Sequence, residues 1–154
     1  MRRMRSTIVA AAAAALCALV GVGRAQAAQQ IPFTITEQLS LTAANTFTAA
    51  GPLCPSGTFI DTVVAVGGAQ SNQPKIELLI RTVYTCDDGS GTFDVLKHVF
   101  LAINPDGSAT NTGPVQIVGG TGAYASLVGH GEDNGSNSGS TGVGLITGWL
   151  LKDG

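Results

Sequence analysis

The run Gly119-Gly120-Thr121-Gly122-Ala123-Tyr124, continuing through Ala125-Ser126-Leu127-Val128-Gly129-His130-Gly131-Glu132, constrains the fold more than any other stretch. It carries too many glycines for a helix, and only Tyr124 and the Leu127-Val128 pair can anchor it. Glycine reaches positive φ without a steric penalty, so the run marks a tight corner feeding a strand. It is no phosphate cradle, because neither a helical pattern nor a lysine nor a dinucleotide fingerprint follows.

The segments around that corner have the period of strands. Short apolar-polar alternations are separated by turn clusters, and no stretch after the first 27 residues carries a helical period. Phe33, Ile35 and Glu37 share one side of a first strand. Thr58 to Val66 is a second, and Lys75 to Cys86 a third, with Ile76, Leu78, Ile80 and Tyr84 on one face. Asp87-Asp88-Gly89-Ser90-Gly91 is a hairpin turn, since Asp-Gly suits positive φ and Asp side chains bond nearby amides. The return strand spans Thr92 to Ile103, with Phe93, Val95, Val99 and Leu101 on one face and Asp94, Leu96, His98 and Phe100 on the other. After the Asn104-Pro105-Asp106-Gly107 turn, a strand near Ser108 to Val118 contains Pro114, which signals an edge, a bulge or a late start. A strand from about Leu127 to Glu132, a polar loop from Asn134 to Ser140, and a last strand from Val143 to Lys152 complete the chain. Seven or eight strands without crossover helices make an all-β antiparallel barrel or sandwich. Closure into a barrel hides the edges of such apolar strands.

The first 27 residues read as a signal peptide: Arg2, Arg3 and Arg5 precede an apolar, Ala-rich run, and Ala25-Gln26-Ala27 has the small-x-small form of a cleavage site. The run is shorter than the ~20 residues of a spanning helix. A lipid-modified Cys17 fits poorly, with bulky Leu16 before it, and the Arg2-Arg3 pair lacks the rest of a twin-arginine pattern. The expected product is a secreted domain over 28–154 with no membrane span. It keeps Lys75, Arg81, Lys97 and Lys152 against all 10 acidic residues. That surface repels phosphate backbones, which argues against a nucleic-acid partner. Cys54 and Cys86 are the cysteines left in an oxidising compartment, so they are expected to pair; metal binding and a reactive thiol are the weaker alternatives.

Ile117-Val118-Gly119-Gly120-Thr121-Gly122-Ala123-Tyr124-Ala125, followed by Gly129 and Gly131, resembles a segment of allene oxide cyclase-like and dirigent-like barrels. Cys54-Pro55-Ser56-Gly57-Thr58-Phe59 and Thr85-Cys86-Asp87-Asp88-Gly89-Ser90-Gly91-Thr92-Phe93 resemble an exported bacterial branch of that superfamily. The resemblance implies one eight-stranded barrel over Ile31 to Lys152. It makes Gly119, Gly120, Gly122 and Tyr124 a structural corner with no part in chemistry. The family's active-site carboxylate finds no matching position, so cyclase activity does not carry over.

Chemistry-bearing residues are few. His98 and His130 read as exterior or half-buried polar positions, and two histidines with scattered acids do not make a metal site. Asp61, Glu77, Arg81, Asp94 and Glu132 lie within strands, where an inward charge would need a partner or a shifted pKa. The ligand-binding candidates are Asp61 and Arg81 as a pair at the barrel mouth, with Glu37 and Tyr84. No nucleophile elbow is present, and no cofactor is indicated. The expected activity is that of a non-enzymatic binding or structural module for a small apolar or amphipathic ligand. An isomerase or cyclase that confines a reactive intermediate is the alternative. A homo-oligomer packing outer faces such as Leu79–Val83 is the third.

Overall fold

The computed structural model describes residues 29–67 and 75–152; the expected leader lies outside the described residues. Eight strands follow one another: β1 (Gln29–Ser40), β2 (Asn45–Ala50), β3 (Ser56–Gly67), β4 (Lys75–Cys86), β5 (Thr92–Ile103), β6 (Ala109–Gly120), β7 (Val128–Ser138) and β8 (Thr141–Lys152). Each pairs antiparallel with its neighbours in sequence, and β8 returns to β1 to close the barrel. The β1–β8 ladder runs unbroken from Gln29↔Lys152 to Ser40↔Thr141. Closure therefore pairs each terminal strand with the other along its full length.

Two strands differ from the sequence expectation. β2 is a strand that the alternation does not announce, because Phe47 is its one buried residue. Asn134 to Ser138 is not a loop but the second half of β7, paired to β6 on one side and β8 on the other. Its lumen-facing positions are Gly131, Asp133, Gly135 and Asn137, so ladder hydrogen bonds specify the strand and apolar alternation does not. Pro114 sits in mid-strand. The β5–β6 register omits His98 and Val99, beside the position where proline has no N–H to give.

One end of the barrel, here the lower, is sealed. The β6 strand steps three residues, Ile117 to Gly120, while β5 steps two, Val95 to Phe93, which is a bulge at Val118-Gly119. Gly119 has φ of +109° there, a conformation that a side chain strains. The chain then makes a 3₁₀ turn over Gly122–Tyr124 and buries Tyr124. The Tyr124 ring meets Phe93 edge-on at 5.6 Å, and its hydroxyl lies 3.2 Å from Ser90 Oγ. Cys54, in the β2–β3 loop, is bonded to Cys86 at the end of β4. The bridge spans a sequence separation of 32. Restricting a loop of that length in the unfolded chain stabilises the fold by about 4 kcal/mol in the chain-entropy model.

At the upper end β3 outruns its neighbour. The β2–β3 ladder stops at Asn45↔Phe59, and beyond it β3 pairs only with β4 among the described residues. Ile60, Val63, Val64 and Val66 are each more than half exposed there. The register shift between Val63 and Ala65 kinks this edge, one way in which natural sheets discourage edge-to-edge pairing.

Candidate binding site in the upper lumen

Strand alternation fixes which side chains enter the barrel. The lower lumen receives Phe33 and Ile35 from β1, Phe47 from β2, Phe59 from β3, Tyr84 from β4, and Phe93 and Val95 from β5, all buried. Tyr84 stacks on Phe93 at 4.6 Å between ring centres, and Phe47 meets both rings edge-on at 5.1 and 5.7 Å. These are favoured aromatic geometries, and they fill this half.

The same alternation then brings charge inside. Glu37 is two residues beyond Ile35, and Lys97 two beyond Val95; each is 3% exposed. Lys97 Nζ donates to Glu37 Oε1 across the lumen, and the Tyr84 hydroxyl donates to the same oxygen. Lys97 Nζ also lies 5.7 Å from the Phe59 ring centre and 5.8 Å from that of Tyr84. The ammonium thus rests on aromatic faces while its charge is paired. Burial, reinforced by Glu37, pushes the Tyr84 phenol well above its ordinary pKa, so it stays a donor.

Asp133 on β7 is the third buried charged group, at 2% exposure. Asn111 Nδ2 donates to its Oδ2 at 2.8 Å, while among the described residues its buried Oδ1 has no hydrogen-bond partner. Burial lifts the Asp133 pKa to about 6 and Glu37 adds to the rise, against the opposing pull of Lys97. Above the aromatic layer lies a cavity of about 160 Å³. Charged Glu37, Lys97 and Asp133 border it, with Leu78, Ile80, Val99 and Leu101 giving apolar walls.

Glycines make up much of the inner face of β7 and β8. Gly131 faces Gly148 across the ladder, and Gly135 faces Gly144. A Cβ on Gly144 would come within 2.5 Å of Glu37 Oε2, and one on Gly148 within 2.9 Å of the Phe33 ring. These glycines leave the space that the side chains from β1 occupy.

The candidates from sequence divide. Glu37 and Tyr84 meet in the lumen. Arg81 and Asp61 do not pair, which corrects the expected mouth couple. Arg81 lies between inward Ile80 and Thr82 and so points out, where it pairs with Asp94 of β5. Asp61 takes the Thr82 hydroxyl at 2.5 Å on the lumen side of β3, and solvent reaches it because β2 ends opposite Phe59. Lys97 and Asp133 are additions. The alternation Phe93, Val95, Val99, Leu101 passes through Lys97, so its inward position is readable from parity. Asp133 has no such signal, since glycines flank it on its own face.

Outside the lumen, His98 pairs with Glu77 on the outer face, and His130 is exposed. Among the described residues no three His, Cys, Asp or Glu side chains gather as metal ligands, and no helix is long and apolar enough to cross a membrane. No protein-family model, curated protein or solved structure matches this chain.

Proposed function

We propose that this protein is an exported barrel that binds one small, largely apolar molecule in its upper lumen. The observation that carries the reading is a cavity of about 160 Å³ bordered by three buried charged residues above a filled aromatic base. Buried ion pairs are often no more stabilising than apolar residues of equal volume, so stability alone does not account for them. The volume is close to that of an apolar cavity known to hold benzene, about 150 Å³. Export is supported by the Cys54–Cys86 bridge together with the leader-like first 27 residues. Membership of the allene oxide cyclase-like and dirigent-like barrels is part of the same proposal, supported by the closed eight-stranded barrel and the glycine corner.

A second reading, an isomerase that confines a reactive intermediate, is favoured by one observation. Asp133, with a pKa near 6, is suited to give and take a proton close to neutral pH. Native mass spectrometry of protein purified from its own secretion medium tests both readings. A one-to-one adduct is expected, and it should vanish in Leu78→Trp, which fills the cavity. Wild-type protein without an adduct, or an adduct unchanged in Leu78→Trp, overturns the lumen as a ligand site. Resupplied with the released compound, a binding module returns it unaltered, whereas an isomerase yields a rearranged product of equal mass.

A further inference from the structure

The polar groups around the cavity are unequal in sign and in use. Glu37 and Asp133 are acidic; among the described residues Lys97 is the one basic residue bordering the cavity. Lys97 is already engaged, with Nζ on Glu37 and over two aromatic rings. Glu37 has two donors on Oε1. Among the described residues Asp133 has a single neutral donor, Asn111, and an oxygen with none. Leaving a buried acceptor unpaired costs about 1–3 kcal/mol, and more for a charged group. The missing complement is a positively charged donor.

We propose that the ligand is a small amine whose ammonium group donates to the Asp133 carboxylate while its apolar body lies against Leu78, Ile80, Val99 and Leu101. The proposal rests on the upper lumen being a ligand site, as argued above. An alcohol would supply one neutral hydrogen bond and leave the charge uncompensated. A carboxylate would add a further negative group beside Glu37 and Asp133, with Lys97 already paired. Asn111 from β6 bonds Asp133, and Lys97 from β5, Glu37 from β1, Asp61 from β3 and Tyr84 from β4 are charged or titratable groups near enough to couple electrostatically to it. Because burial holds the Asp133 pKa near 6, a proton competes with the ammonium as pH falls through that value.

The test is an NMR titration of the exported protein with n-butylamine, n-butanol and butyrate at pH 8, followed at the amides of Asn111 and Gly144. The amine is expected to bind about ten-fold more tightly than the alcohol, since ionised donors make the stronger hydrogen bonds. Lowering the pH to 5 should weaken the amine about ten-fold and leave the alcohol unchanged. Asp133→Asn, which keeps an acceptor but removes the charge, should abolish the preference. The wild-type pH series decides the matter even if that variant folds poorly. Alcohol binding as tightly as amine, or butyrate binding tightest, overturns the amine assignment and leaves the lumen a ligand site. If no probe moves the lumen amides, both fall.

Discussion

The two halves of the lumen are built from the same strands and obey opposite rules. Below the Tyr84 hydroxyl, aromatic rings fill the interior, and a disulfide and a buried tyrosine turn seal the end. Above it, Glu37, Lys97 and Asp133 surround a space of about 160 Å³. Tyr84 belongs to both, with its ring in the stack and its oxygen on Glu37. Stability and the candidate site are thus separated along the barrel axis. A well-packed base lets the other half carry groups that are expensive to bury.

Phe93→Ala should be the most damaging test of this division. Phe93 is fully buried and touches Phe47, Tyr84 and Tyr124, so truncation is expected to lower the free energy of unfolding by about 4 kcal/mol in urea denaturation. Val99→Ala, beside the existing cavity, should cost less than half as much. Equal losses would erase the distinction.

The next effect is a pH dependence confined to the upper half. The Asp133 pKa is raised from 3.8 to about 6, so over that range the folded state holds a proton that the unfolded chain has released. This contribution is fully present below the unfolded pKa and is lost as pH rises through the folded one. Taken alone it removes about 2 kcal/mol between pH 4 and pH 7. Melting temperatures of wild type and Asp133→Asn should therefore converge at the acidic end and separate toward neutrality, with the variant the more stable. A constant difference across that range would refute the assignment.

Tyr84→Phe is the gentlest probe, because Glu37 keeps Lys97 when the phenol hydroxyl is removed. A loss of about 1–2 kcal/mol is expected from one buried hydrogen bond, measured by the same denaturation. A loss matching that of Phe93→Ala would show that the two halves behave as one unit.

How legible each half is in the sequence follows from its residue types. Phe33, Ile35, Phe93 and Val95 announce inward faces by alternation, and the Cys54–Cys86 pairing follows from the two cysteines left after an expected leader. Glu37 is readable because it continues the Phe33-Ile35 face, and Lys97 is equally readable by position. The Arg81–Asp61 pairing fails because charge complementarity ignores parity, which places Arg81 outside. Asp133 is illegible for a deeper reason. Its strand carries glycines and short polar residues, so only pairing with β6 and β8 decides which way it points.

The paired glycines of β7 and β8 make the chamber adjustable from one direction only. Methyl groups at Gly144 and Gly148 would collide with Glu37 and Phe33. Change in cavity size through substitution is therefore channelled to the opposite staves, at Leu78, Ile80, Val99 and Leu101. There trimming or lengthening aliphatic branches alters capacity and leaves the carboxylates and the ammonium in place.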